Sequence, residues 1–317
     1  MILGIHHVTA LASYPQPNVD FYVGQLGLRL VKQTVNFDDP GTYHLYYGDG
    51  IGTPGTLLTF FPYGNIQKGR RGRGETTSIT FEVPTGSLDF WIERLSIENI
   101  PNGEETIFGQ RVVWALDPDG MRVEFEESDV ETPNTYWTGS TVPVDKAIRA
   151  IKRITLAPSD GHTIGEYKTT EDVLNNLFEA TPTQQEGNRQ RFQLGPSEVD
   201  IVRDPSQPRA QSSAGTIHHV AFRNATETIQ KEWLKTLLEK GFHASPVMDR
   251  EYFESIYFRE PGGVLFEFAT DGPGFLINEP IETLGTELRL PPQYESKKTQ
   301  LEAILPKLNL NFTKVNV

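Results

Sequence analysis

Two short segments repeat one chemical pattern. Ile5-His6-His7-Val8-Thr9 and Ile217-His218-His219-Val220-Ala221 each set a His-His pair in the same apolar frame, and together they use four of the chain's seven histidines. Imidazole is the commonest protein ligand of catalytic metals. A second repeat supplies carboxylates. Asp117-Pro118-Asp119-Gly120-Met121-Arg122-Val123-Glu124-Phe125 parallels Glu260-Pro261-Gly262-Gly263-Val264-Leu265-Phe266-Glu267-Phe268, so Glu124 and Glu267 occupy equivalent positions. Two imidazoles and one carboxylate on one face of a metal leave about three positions for substrate and dioxygen, an arrangement suited to non-haem Fe(II).

The elements that must position these groups are also repeated. Thr77-Ser78-Ile79-Thr80-Phe81 and Lys152-Arg153-Ile154-Thr155-Leu156 share the character of His218-His219-Val220-Ala221-Phe222. Four opening strands are therefore expected near residues 5, 76, 151 and 217. Helical stretches follow at Pro17–Val23, Ser87–Leu95 and Glu227–Lys240, the last with Ile229, Trp233, Leu234, Leu237 and Leu238 at helical spacing and Gly241 as its stop. The Pro-Asp-Gly and Pro-Gly-Gly segments read as hairpin turns leading into closing strands. Each unit is thus β-α-β-β-β, an α+β chain.

Strand side chains alternate between faces. Val8, Ile79, Ile154 and Val220 define an apolar face for the unit's own helix. The opposite, inward face carries His7 and Thr9, Ser78 and Thr80, Arg153 and Thr155, and His219. Strict alternation puts His6 and His218 on the far side from the ligands. Glu124 and Glu267 point inward, as do Thr59 in the first unit and Asp200 in the third. Only units one and four combine good ligands: His7, His219 and Glu267. Units two and three would set Arg153 beside two acids, a metal-free remnant tied by a salt bridge. Unit one should then face unit four, and unit two should face unit three. His44, His162 and His243 lack matched partners and read as structural.

The formal net charge of −13 disfavours nucleic-acid binding. The one basic cluster, Lys68 to Gly74, reads as a solvated linker. No apolar run reaches membrane-spanning length, so no membrane partner is expected. The absence of cysteine excludes disulfides and thiolate sites. Met1 leads straight into a strand-like segment without a charged and apolar leader, so the expected location is cytoplasmic.

These motifs, with the tail Leu290-Pro291-Pro292-Gln293-Tyr294-Glu295, resemble the vicinal oxygen chelate superfamily of glyoxalase I, bleomycin-resistance proteins and extradiol dioxygenases. Within it the chain most resembles ring-cleaving dioxygenases of the hydroquinone 1,2-dioxygenase type. The resemblance implies four βαβββ modules in two paired domains, each pair forming a cupped mixed sheet. The expected boundaries are 1–140 for modules one and two, 147–275 for modules three and four, and 276–317 for a C-terminal extension. It implies Fe(II) held by His7, His219 and Glu267, and substrate-pocket roles for His6, Thr9, His218, Arg250 and Tyr257. The implied partners are a small para-dihydroxylated aromatic and O2, and superfamily members often form homo-oligomers. Three rivals stay open: a catechol-type extradiol dioxygenase, a glyoxalase-type isomerase or lyase, and a metal-free module that sequesters an aromatic drug. Thr59 in the fourth inward position argues against a four-ligand isomerase. Arg153 in the third unit's ligand position argues against a metal between units three and four.

Overall fold

The structure is a computed structural model and describes residues 2–133 and 135–312. The first module comprises β1 (Ile5–Ala12), α1 (Pro15–Val19), β2 (Arg29–Val35), β3 (Tyr43–Gly48) and β4 (Leu57–Pro62). The second comprises β5 (Glu75–Pro84), α2 (Leu88–Ile97), β6 (Asn102–Ile107), β7 (Gln110–Leu116) and β8 (Arg122–Ser128). The third comprises β9 (Ala150–Ala157), α3 (Thr170–Asp172), β10 (Thr181–Glu186), β11 (Arg189–Leu194) and β12 (Ser197–Val202). The fourth comprises β13 (Ile217–Asn224), α4 (Glu227–Glu239), β14 (Met248–Asp249), β15 (Glu254–Arg259) and β16 (Leu265–Thr270). The opening strands start within one residue of the expected positions.

Two eight-stranded mixed sheets result. One runs β14-β15-β16-β13-β1-β4-β3-β2 and joins modules four and one; the other runs β10-β11-β12-β9-β5-β8-β7-β6 and joins modules three and two. At each centre two opening strands pair antiparallel, β1 with β13 and β5 with β9, and each runs parallel to its own module's closing strand. Modules one and two therefore lie in different sheets, as do modules three and four. They meet instead through their apolar faces and helices: Arg94 of α2 donates to the carbonyls of Gly24 and Gln25, and Phe178, which follows α3, packs on Phe222 and Phe266 of module four. One continuous core holds both apolar faces, including Val8, Ile79, Ile154 and Val220.

Local chemistry explains the elements. Pro15 opens α1, where its missing N–H costs nothing; the chain then widens into a π-helical turn over Asp20–Gln25. The Thr226 hydroxyl caps α4 by accepting from the Ile229 N–H. Gly120 and Gly263 take φ of 85° and 92° in the matched turns before β8 and β16. In those turns Asp117 and Glu260 accept backbone N–H groups in parallel fashion, from Asp119 and Met121 and from Gly262 and Val264.

The basic segment expected to be a solvated linker is instead tied down. Lys68, Arg70 and Arg73 form β-bridges with Ala214, Gln211 and Arg209, lacing the entries to β5 and β13 together. The C-terminal segment, which includes α5 (Lys298–Ile304), closes one end of the first sheet. Phe275 and Leu284 join Val31, Tyr46, Tyr252 and Phe253 in a second apolar cluster. Buried Lys32 bonds Glu279 and, at 2.8 Å, Asn278. Leu288 bridges to Gln33 and so covers part of the free edge of β2.

Candidate metal centre

His7 on β1, His219 on β13 and Glu267 on β16 converge on the concave face of the first sheet. All three are buried. His7 Nε2 and His219 Nε2 stand 3.4 Å apart, and Glu267 Oε2 lies 3.4 Å from the first and 2.9 Å from the second. Three donors at metal–ligand bond lengths of about 2.1 Å and mutual angles near 90° would stand about 3.0 Å apart, so these atoms can share one ion. Glu267 Oε1 accepts the Ser255 hydroxyl, whereas buried Oε2 faces only the two imidazole Nε2 atoms and has no other partner among the described residues. A buried orphan acceptor calls for a missing positive partner.

The tautomers agree with that reading. His6 Nε2 lies 3.1 Å from the Thr270 carbonyl, which can only accept, so that nitrogen carries a proton. Burial, then the neighbouring His7, pushes His6 down to about 3, so the ring is neutral and its Nδ1 is an acceptor. His7 Nδ1, 2.9 Å away, must then donate, which leaves His7 Nε2 as a bare lone pair facing the centre. His218 and His219 repeat the contact at 2.8 Å between Nδ1 atoms. Burial lowers His219 against the opposing pull of Glu267. For Glu267 burial acts upward, but His7 and His219 together hold the carboxyl well below its usual range.

The first histidine of each pair does not lie away from the ligands as strict alternation requires. The β1–β13 register shifts twice, between Ile5 and His7 on one strand and between the partners of Thr9 and Ala10 on the other. His6 and His218 are the two extra residues. A bulge re-aims the side chain at the inserted position, and each pair thereby brings its rings edge to face, 5.1 and 5.0 Å between centroids.

A narrow cleft of about 30 Å³ opens beside the triad, lined by Phe37, Asp38, Tyr46, Phe61, Phe253, Tyr257 and Arg250, among others. Tyr257 sits 5.5 Å from the His219 ring, and Arg250 lies over Tyr257 at 5.4 Å. Burial, reinforced by Glu267, raises the Tyr257 phenol well above its ordinary range, so it stays protonated. Arg250 also reaches Asp38 at 3.3 Å across the cleft. Thr9 is buried and does not line the cleft; its hydroxyl meets Thr59 Oγ1 at 2.7 Å.

Two features escaped sequence reasoning. His44, read as structural, lines the cleft and links Tyr46 Oη (2.8 Å) to Thr59 Oγ1 (2.9 Å). Burial, then His7, pushes its ring well below the ordinary value, so it acts as a neutral relay of hydrogen bonds. Its alternation with Tyr46 on β3 was the available signal. The tail's Tyr294 donates to the Phe37 carbonyl at 2.8 Å and so holds the loop that walls the cleft.

The profile of the Glyoxalase/Bleomycin resistance protein/Dioxygenase superfamily matches residues 4–125. MhqO of Bacillus subtilis (strain 168), named as a candidate ring-cleaving dioxygenase, is 42% identical over 307 residues, 96% of each chain. The chlorohydroquinone/hydroquinone 1,2-dioxygenase of Sphingobium indicum is 34% identical over 94% of each chain. A crystal structure of a candidate dioxygenase from Bacillus subtilis subsp. subtilis str. 168 superposes with a TM-score of 0.90 at 40% identity, covering 98% of this chain and 99% of that one. With the module pairing and the buried triad, these likenesses make the chain a member of the glyoxalase/bleomycin resistance/dioxygenase superfamily, within the ring-cleaving dioxygenases of the MhqO and hydroquinone 1,2-dioxygenase type.

Proposed function

We propose that the protein is an Fe(II)-dependent dioxygenase that opens the ring of a hydroquinone-type aromatic and incorporates both atoms of O2. The observation that carries this reading is the three-donor set His7, His219 and Glu267 with no fourth protein ligand among the described residues. Thr59, in the fourth inward position, has its hydroxyl engaged by Thr9 and His44. This favours an open redox centre over a four-ligand isomerase. A ferrous ion there would supply the dioxygen chemistry and lower the pKa of a bound phenol.

The chain's own residues then do four things. His6 and the Thr270 carbonyl fix the His7 ring so that its Nε2 faces inward, and His218 holds the His219 ring through the matching Nδ1 contact. Ser255 holds Glu267 so that one carboxylate oxygen is free. Phe37, Phe61 and Phe253 form apolar walls suited to a planar ring and exclude water. Tyr257 offers a proton at its phenol oxygen, and Arg250 offsets anionic charge that develops on the substrate. His218 is a second candidate proton donor, and Thr9 acts through Thr59.

The test is oxygen uptake by anaerobically purified, iron-loaded protein. Hydroquinone should support stoichiometric uptake, catechol much less, and the methylglyoxal–glutathione adduct should not be isomerised. Isomerisation without oxygen uptake would replace this reading with the glyoxalase one; faster uptake on catechol would replace it with the extradiol one.

A further inference from the structure

His6 and His218 play matched parts, but their outer nitrogens differ. His6 Nε2 has the Thr270 carbonyl as acceptor. Among the described residues His218 hydrogen-bonds only through Nδ1, to His219. If His219 Nδ1 donates as His7 Nδ1 does, His218 Nε2 carries a proton with no acceptor among the described residues. That ring is exposed and lines a separate cavity of about 280 Å³ behind the triad, at the junction of the two sheets.

The walls of this cavity are cationic. Arg73, Arg209 and Arg259 line it. Arg73 has an exposed partner, Asp160, at 2.7 Å. Arg259 donates to the Gly263 carbonyl, and neither it nor Arg209 meets a carboxylate among the described residues. Glu75, the one acid among the described lining residues, is buried, and that burial pushes it up to about 7. Thr76, 2% exposed, lines the same cavity with a buried hydroxyl that has no partner. Ser212 adds a further hydroxyl, while that of Ser159 donates to the Gly262 carbonyl at 2.8 Å. Arginine forks beside the unpartnered Thr76 hydroxyl and an imidazole N–H form a receptor for an oxyanion.

We propose that this cavity binds a small oxyanion of carboxylate or phosphate type, which supplies to His218 the acceptor that Thr270 supplies to His6. Occupancy then fixes the His218–His219 hydrogen bond in the sense that leaves His219 Nε2 facing the centre. The site lies outside the cleft and needs no assumption about the reaction.

The full-length chain is titrated calorimetrically with inorganic phosphate and, separately, with maleate, at constant ionic strength. Both should bind saturably with one site per chain and compete with each other. Tighter maleate binding assigns the site to organic acids; tighter phosphate binding assigns it to phosphate. The Arg209→Ala/Arg259→Ala variant, changed only at exposed positions, should stay folded by circular dichroism and bind at least about tenfold more weakly. Glu75→Gln should bind several-fold more tightly, because it removes the competing acid. In spectra of ¹⁵N-histidine-labelled chain, phosphate should shift the His218 and His219 ring signals and leave His6 and His7 in place. Absence of saturable heat, or equal affinity in the double-arginine variant, overturns the proposal. Because none of these readouts uses turnover, failure here is separable from failure of the dioxygenase reading.

Discussion

The two sheets share one plan and hold opposite chemistries. In the first, His7 and His219 flank Glu267. In the second, the equivalent positions carry Ser78, Arg153 and the acids Glu124 and Asp200. Even the bulges recur: the β5–β9 register skips Thr77 and Lys152, the counterparts of His6 and His218. Arg153, fully buried, reaches Glu126 at 2.6 Å, Glu198 at 2.9 Å and Asp200 at 3.4 Å. Glu124, expected beside it, is taken instead by Arg122 and Thr80. The second sheet thus carries its cation on the chain, whereas the first turns a buried carboxylate and two imidazole nitrogens toward one point and has no lysine or arginine among them. The openings differ too. The C-terminal segment plugs the first sheet with Phe275 and Leu284 and leaves a narrow cleft, while the second keeps a wider cavity among arginines and acids.

The largest test of this contrast exchanges the equivalent acids. Glu267→Ala should abolish stoichiometric metal binding and lower oxygen uptake by about 10³-fold or more, since a facial set cannot lose its only carboxylate. Glu124→Ala should retain the metal. Metal analysis after gel filtration decides; loss in both variants, or only in the second, breaks the contrast.

The next largest effect belongs to the other sheet. Arg153→Leu leaves Glu126 to Lys152 and Asp200 to Arg189 and Arg191, and the loss of its own charged hydrogen bonds should destabilise by about 1.5–3 kcal/mol in urea titrations. Metal content of the folded fraction should be unchanged. A metal ion newly bound by this variant would sharpen the comparison further, since it would show that the arginine stands in for the ion.

A smaller effect is expected at the bulges. His218→Asn should keep the metal but slow turnover by about 10–100-fold, the usual cost of losing an outer partner of a ligand. Thr77→Ala, at the equivalent of His6 in the second sheet, should leave turnover unchanged. Equal turnover in His218→Asn and the parent would remove that histidine from the site.

These bulges mark where sequence reasoning stops. The triad was legible because His-His pairs are rare and their flanking residues repeat, and Glu267 followed from the matched turns before β8 and β16. The pairing of module one with four and of two with three followed from which inward residues can share a metal. The bulges left no such trace: Ile-His-His-Val reads as regular alternation, and only the partner strand reveals the added residue. The tail was visible as a motif but not as a clamp, because Tyr294 finds the Phe37 carbonyl 257 residues away in sequence. The same holds for Arg153, whose choice of Glu126 over Glu124 depends on where Arg122 lies.

The smallest effect concerns Glu75, a buried acid at the start of β5 that no guanidinium of the second sheet fully compensates. Burial pushes it up to about 7, against the donated Gly72 N–H and the charge of Arg71, which pull it down. An unfolded glutamate titrates near ~4.3. Between roughly pH 4.3 and 7 the folded chain therefore holds a proton that the unfolded chain has released, and stability falls as pH rises through that window. The loss is on the order of 1–2 kcal/mol after allowance for solvent screening. Gln keeps an acceptor for the Gly72 N–H and has no charge to strand. Glu75→Gln should thus match the parent in melting temperature near pH 4.5 and exceed it at pH 8. A parent more stable than the variant at pH 8 would make Glu75 a working ion-pair partner of Arg71. The second sheet's habit of neutralising every buried acid from the chain itself would then extend to its edge.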